Sequence, residues 1–309
     1  MRALLVVNPR ATTTSTRSHE VLVAALDSDL KLEVEHTTRR GHATELARQA
    51  RLDGLDLVVV LGGDGTVNEA VNGLLEEGPH GSVPHLAVVP GGGTNVFARA
   101  LGIPTDPIDA TGAVLAALRS DHRRPINLGR ADDRWFTFCA GLGLDAEVVA
   151  TVEDRREHGT HPTPARFVRA AVREFFTRTD RRHPPLALHR PGHPAEDRLH
   201  LAIVANSNPW TYLGRRPVRP TPDASFDAGL DLYALRRLGT LGTLRQVRQL
   251  LGSPRPGGPR GRQVLGLHDE PSFTVSAERP VAFQVDGEPV GTRTSVTFHS
   301  EPRALTVVC

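Results

Sequence analysis

The segment "VVVLGGDGTVNEAVNGLL", Val58 to Leu75, runs a continuous apolar strand into three glycines around one aspartate, and then into helical spacing. An uninterrupted apolar strand is buried on both faces, the mark of a parallel sheet covered by helices. A parallel strand must be followed by a crossover, and the helix behind the glycines supplies one. A second segment, "VVPGGGTNVFARALGIP" from Val88 to Pro104, repeats the design. Right-handed crossovers place both glycine turns at carboxyl ends of strands in one sheet.

The surrounding pattern agrees. "ALLVVNP", "LKLEVEHT", "LDLVVVLGG" and "PHLAVVPGGG" read as strands. They alternate with helical spacing in "SHEVLVAALDS", "ATELARQARL", "TVNEAVNGLLEE", "NVFARALGI" and "DPIDATGAVLAALRS". Near Arg123 the texture changes to short alternating runs with Gly/Pro turns, the signature of a β-rich domain. "PTPARFVRAAVREFFTRT" and "LGTLRQVRQLLG" interrupt it as helices, and "SPRPGGPRGRQ" is a low-complexity loop. The fold class expected is α/β + β. Residues 1–124 form a nucleotide-binding domain with a parallel sheet. Residues 125–309 form a β-rich sandwich whose last strand is a candidate to pack back on the first domain.

Bulk properties exclude several classes. The 309 residues carry a net charge of +2, too little to draw nucleic acid by charge alone. Cys139 and Cys309 make neither a disulfide framework nor a metal cluster, which fits a reducing cytoplasm. No stretch approaches the roughly 20 apolar residues of a membrane helix.

The glycine turns are not the common nucleotide fingerprints. Gly63, Gly65 and Asn68 fail G-x-G-x-x-G at its third glycine, and the sole lysine, Lys31, is far in sequence from any Walker-type loop. Glycine before a helix N-terminus still suits phosphate. Gly62, Gly63 and Gly65 are expected to allow positive φ and close backbone approach, so that their N–H groups and those of Thr66 and Val67 face phosphate oxygens. Asp64 would repel phosphate unless Mg²⁺ lies between them; its alternative is a helix cap. Thr94 and Asn95 have the same two readings. Asp286-Gly287 alone reads equally as a hairpin turn.

"GGDGTVNEAVNGL" with "PGGGTNVFARALGIP" resembles the diacylglycerol kinase catalytic-domain family, which takes in bacterial lipid kinases, sphingosine kinases and ceramide kinases and is distantly related to NAD kinases and phosphofructokinases. "NPRATT", "TTRRGHATELA", "GLGLDAEVV", "VANSNPWTYLGRRPVRPTPDASFDAGLDLYAL" and "FQVDGEPVG" extend the similarity along the chain. The resemblance implies transfer of the ATP γ-phosphoryl group to a lipid hydroxyl with Mg²⁺, the lipid being held by the β-rich domain. It implies ATP contacts at Asn8, Thr37, Gly62, Gly63, Asp64, Gly65, Thr66, Val67, Asn68, Gly93, Thr94 and Asn95. It leaves the general base open between Glu288, as in bacterial lipid kinases, and Asp64, as in sphingosine kinases. Glu288 is favoured, with Asp64 in the Mg²⁺/phosphate network.

One position departs from the family pattern. Where relatives carry two adjacent acids that help hold a structural Mg²⁺, this chain has Asp227-Ala228. The remaining implied ligands are Ser225, Asp227 and Leu230, and the site is in doubt.

A lipid substrate at a membrane surface is the expected partner, and nucleic acid is not. A homodimer stays open, and the expected location is cytoplasmic or peripheral at the inner membrane face. Phe167, Val168, Ala171, Val172 and Phe175 could rest on that surface, or pack on the β domain; Trp210 and Tyr212 could line an acyl entrance or pack in the core. Two alternatives remain: a kinase of a soluble polyol or nucleotide, and a catalytically weak regulator.

Overall fold

The structure, a computed structural model, describes residues 1–10, 16–157, 182–253 and 255–309. The helix expected over residues 162–179 lies outside them. The chain divides into two compact units: Met1–Leu128 with Pro302–Cys309, and Gly129–Glu301.

The first unit alternates strand and helix: β1 (Arg2–Val7), α1 (Thr16–Asp27), β2 (Lys31–His36), α2 (His42–Leu52), β3 (Leu57–Gly62), α3 (Asp64–Leu74), β4 (His85–Pro90), α4 (Val96–Ala100) and α5 (Pro107–Arg119). All pairings are parallel, in the order β2-β1-β3-β4. The end of the last strand in the chain extends this sheet, with Val307 paired in parallel to Leu86. Every residue of β3 is buried, as two-sided helical cover demands: α2 packs on α3, and α1 on α5. The order reverses between β1 and β3, and loops after the carboxyl ends of strands at such a switch point are where α/β sheets bind ligands. The segments holding Thr37, Asn8 and both glycine turns follow the carboxyl ends of the four adjacent strands.

The second unit is antiparallel. It begins within β5 (Arg123–Ala131) and continues through β6 (Arg134–Phe136), β7 (Cys139–Gly143), α6 (Leu144–Glu157), β8 (Leu186–His189), β9 (Glu196–Leu199), β10 (Leu201–Ala205), β11 (Thr211–Leu213), β12 (Arg216–Val218), β13 (Leu230–Leu235), α7 (Thr240–Leu250), β14 (Val264–Glu270), β15 (Ser272–Val285) and β16 (Glu288–Val308). Strands pair in the order β14-β13-β10-β7-β15-β16, with β11–β12 a separate ribbon. Strand β10 is buried on both faces because alternate residues serve two cores. Ala202 and Val204 join the cluster around Phe136, Phe273 and Phe298. Leu201 and Ile203 join Tyr233, Leu235 and Leu238. Trp210 packs against this second cluster.

Among the described residues no helix is long and apolar enough to cross a membrane.

Candidate active site

In the first unit the parallel ladder continues one residue past each strand: Asn8 N–H donates to Leu61 O, Thr37 N–H to Val7 O and Gly91 N–H to Gly62 O, at 2.8–2.9 Å. This fixes the starts of all four loops against each other. Asn8 Nδ2 then donates to Thr66 Oγ1 at 2.9 Å, and Arg10 N–H donates to Asn8 Oδ1 at 3.0 Å. The loop after β1 is thereby tied to the first turn of α3.

The glycine turns meet through their backbones. A Cβ on Gly92 would stand 2.7 Å from Gly63 Cα and 2.9 Å from Asn95 Oδ1. The expectation of positive φ at Gly62, Gly63 and Gly65 is corrected: none has it, and Gly63 is extended with φ −91°. Gly62 and Gly63 are instead held by close approach, a Cβ there meeting Thr66 Cβ at 2.8 Å and Gly92 Cα at 3.3 Å, respectively. The left-handed residue is Asn95, at φ 48°. Its amide folds back on its own turn, accepting Gly92 N–H at 2.9 Å and donating to Gly92 O at 2.7 Å.

Asn95 occupies the N-cap position of α4 but gives that helix no side-chain cap. Asp64 supplies it from across the site. Its Oδ2 accepts Val96 N–H at 3.0 Å and its Oδ1 accepts Phe97 N–H at 3.1 Å. Asp64 is thus a cap, as one reading of the sequence had it, but of another helix. A carboxylate at a helix N-terminus also meets the positive end of the helix dipole. Its own helix, α3, starts at Gly63 with no side-chain cap. The first-turn N–H groups of a helix have no acceptor within it, and no side chain caps those of α3. This donor set, with the Thr66 hydroxyl, fits a phosphate group.

Glu69, which the sequence reading missed, does for α2 what Asp64 does for α4. It accepts Gly41 N–H at 2.8 Å and Ala43 N–H at 3.2 Å, while Thr44 Oγ1 donates to Glu69 O. The signal was present: Gly41, at the N-cap, cannot cap with a side chain. Asn68 is buried and its side-chain and backbone oxygens accept from Asn72 Nδ2. Val67 is buried, Thr94 half-buried and Gly93 exposed.

In the second unit, "VDGE" is a two-residue hairpin: Val285 pairs with Glu288, and Asp286 and Gly287 take φ 48° and 77°. The Asp286 carboxylate is buried and accepts four hydrogen bonds, from Thr137 N–H, Thr137 Oγ1, Phe138 N–H and Cys139 N–H, at 2.7–3.0 Å. Burial pushes its carboxyl up, against the pull of these donors. Asn206 Nδ2 donates to Thr137 O and Gln284 Nε2 to Asp145 Oδ2. The segments "GLGLDAE", "VANSN" and "FQVDGE" therefore converge on one buried knot. Burial raises Asp145 to about 7. At the edge of the knot Glu288 is 30% exposed, with Arg134 at 4.0 Å.

The suggested metal ligands Ser225 and Asp227 lie in a turn with hydrogen bonds of its own. Ser225 O accepts Ala228 N–H, Ser225 Oγ accepts Asp227 N–H, and Gly229 N–H donates to Asp269 Oδ1. Asp227 is the carboxylate of the Asp227-Ala228 pair. Among the described residues no three His, Cys, Asp or Glu side chains are grouped to hold a metal.

Comparison with known proteins gives this geometry a context. The diacylglycerol kinase catalytic domain family matches residues 2–131. A diacylglycerol kinase of Bacillus subtilis is 36% identical over 157 residues, 50% of this chain and 50% of its own length. One of Staphylococcus carnosus is 33% identical over 129 residues, 42% of this chain and 40% of its own. These alignments span half or less of the relatives' length. A crystal structure of a diacylglycerol kinase from Bacillus anthracis has the same fold, with a TM-score of 0.72 at 22% identity, covering 99% of this chain and 96% of that one. Over residues 2–131, the chain is similar to the diacylglycerol kinase catalytic domain family.

Proposed function

We propose that the protein is an ATP-dependent lipid kinase that phosphorylates the hydroxyl of diacylglycerol or a related lipid. The observation that carries this reading is the N-terminus of α3, which has no side-chain cap and is held against a second glycine turn by Asp64, in a segment similar to the diacylglycerol kinase catalytic domain. ATP, carried with Mg²⁺, supplies the transferable phosphoryl group. The N–H groups of the first turn of α3 and the Thr66 hydroxyl bind and orient its phosphates, and Asn8 fixes the Thr66 rotamer through the 2.9 Å bond.

Glu288 is the general base. A lipid alcohol is a weak nucleophile until its proton has an acceptor, and Glu288 is a partly exposed carboxylate on a hairpin pinned by Asp286. Asp64 is a positioning residue in this scheme, because each of its oxygens already takes a backbone amide. No step is assigned to Ser225, Asp227 and Leu230.

The test is transfer of label from [γ-³²P]ATP to an extract of total lipids, followed by identification of the product. The expected outcome is a labelled lipid phosphomonoester. Label appearing only in free phosphate or in a water-soluble acceptor would sink the lipid reading.

A further inference from the structure

The β-rich unit carries a surface that the phosphate chemistry above leaves unused. From Arg236 to Gln263 the chain has seven arginines and neither Asp nor Glu. Within this run, α7 turns one side inward: Gln246 is buried, and its Oε1 accepts from Tyr233 OH at 3.4 Å. The other side is apolar and bare, with Leu241 85%, Leu244 60% and Val247 43% exposed. One exposed leucine is ordinary, but two leucines and a valine on one helix face are a patch that marks an interaction site.

Beside this face lies a pocket of about 430 Å³ lined by Arg219, Arg245, Arg248 and Arg255, with Gln249 and Ser253. Two of these arginines, Arg245 and Arg248, belong to α7 itself. None of the four is ion-paired among the described residues. Four unpaired guanidinium groups around one cavity repel each other, and an anion there relieves the repulsion. Guanidinium also matches the oxygens of a phosphate in a bidentate manner.

The two features together specify the partner. A basic helix with an exposed leucine face lies in the plane of a lipid interface, its apolar side at the headgroup–acyl boundary. A second copy of the chain fits poorly: pairing this surface with itself would set four arginines against four, with the Asp223 carboxylate beside the pocket engaged by Gly257 N–H at 2.7 Å. We infer that α7 and the four-arginine pocket form a docking surface for an anionic phospholipid bilayer, the leucines entering the interface and the arginines holding lipid phosphates. The inference is independent of the phosphotransfer reading, since it needs neither ATP nor a lipid acceptor.

The test is flotation of the full chain with vesicles lacking diacylglycerol, made of phosphatidylcholine alone or mixed with phosphatidylglycerol, and without nucleotide. The expected result is binding to the mixed vesicles that weakens as salt is raised. Leu241→Ser/Leu244→Ser and Arg245→Gln/Arg248→Gln should each lower the partition coefficient by about tenfold or more, at unchanged thermal unfolding. Mixed vesicles that bind no better than phosphatidylcholine alone, or variants that bind like the parent, would overturn it. So would a parent that sediments as a dimer and becomes monomeric in Leu241→Ser/Leu244→Ser, since the face would then belong to a second copy.

Discussion

The Asp64 carboxylate accepts the backbone N–H groups of Val96 and Phe97 at 3.0 and 3.1 Å, so the residue between the first pair of glycines caps the helix that follows the second. The two turns are therefore one mechanical unit. Asp64→Asn keeps one acceptor and turns an NH₂ toward an N–H. It should cost about 1–2 kcal/mol of stability, the worth of a helix cap. It should also weaken ATP binding, because the turns loosen. Calorimetric unfolding and ATP titration measure both, and an unchanged midpoint would remove the cap from the account.

Gly92→Ala tests the close approach. Its Cβ would sit 2.7 Å from Gly63 Cα. Backbone cannot yield as a flexible side chain can, so a loss of roughly 1–3 kcal/mol is expected, with reduced ATP affinity in the folded protein. Gly63→Ala is the milder variant, since its Cβ meets Gly92 Cα at 3.3 Å. Equal affinity in both variants and the parent would mean that the turns do not cradle phosphate.

Glu288→Gln keeps the side chain's shape and removes the proton acceptor. Turnover on the lipid substrate should fall by about 10²–10⁴-fold, while ATP affinity stays constant because the group acts in the transition state. Asp64→Asn, by contrast, should lose affinity and turnover together. A near-normal rate for Glu288→Gln would return the base role to Asp64.

Asp286→Asn should be among the most costly single changes in the β-rich unit. Its carboxylate accepts three N–H groups and one hydroxyl, all buried, and an amide would point its NH₂ at donors. A loss on the order of 2–4 kcal/mol is expected, read from the denaturation midpoint, with lower turnover because the hairpin carries Glu288. Stability within a few tenths of the parent would show that the knot is not what holds the hairpin.

Asp145 gives a pH signature. Burial raises its carboxyl from 3.8 to about 7 in the folded chain. Its stability contribution is therefore present in full below the ordinary carboxylate range and is lost as pH rises through about 7. The parent should lose on the order of 2 kcal/mol between pH 5 and pH 8 relative to Asp145→Asn, which has no charge to bury. Parallel stability–pH curves for the two would contradict this.

Sequence alone determined most element types, though not helix α6, which the reading of the β-rich region did not include. The all-apolar "LVVVLG" can be satisfied only inside a sheet covered on both faces, and period-two strands downstream of Arg123 can form only a β-rich unit. The Asp-Gly turn before Glu288 was legible for the same local reason, because two successive left-handed residues fit few other chemistries. The partners of the carboxylates were not legible. Asp64 reaches 32 and 33 residues along the chain to α4, Glu69 reaches back 26 and 28 to α2, and Asp286 reaches across 147 to 149 to the strand start at Cys139. Such bonds depend on strand order, and local pattern does not encode strand order. The sequence likewise showed that glycines were needed in the first turn and gave two reasons, positive φ and close approach, of which the first is absent. Only the register of β3 beside β4, which brings Gly63 against Gly92, shows that space rather than φ excludes a side chain there.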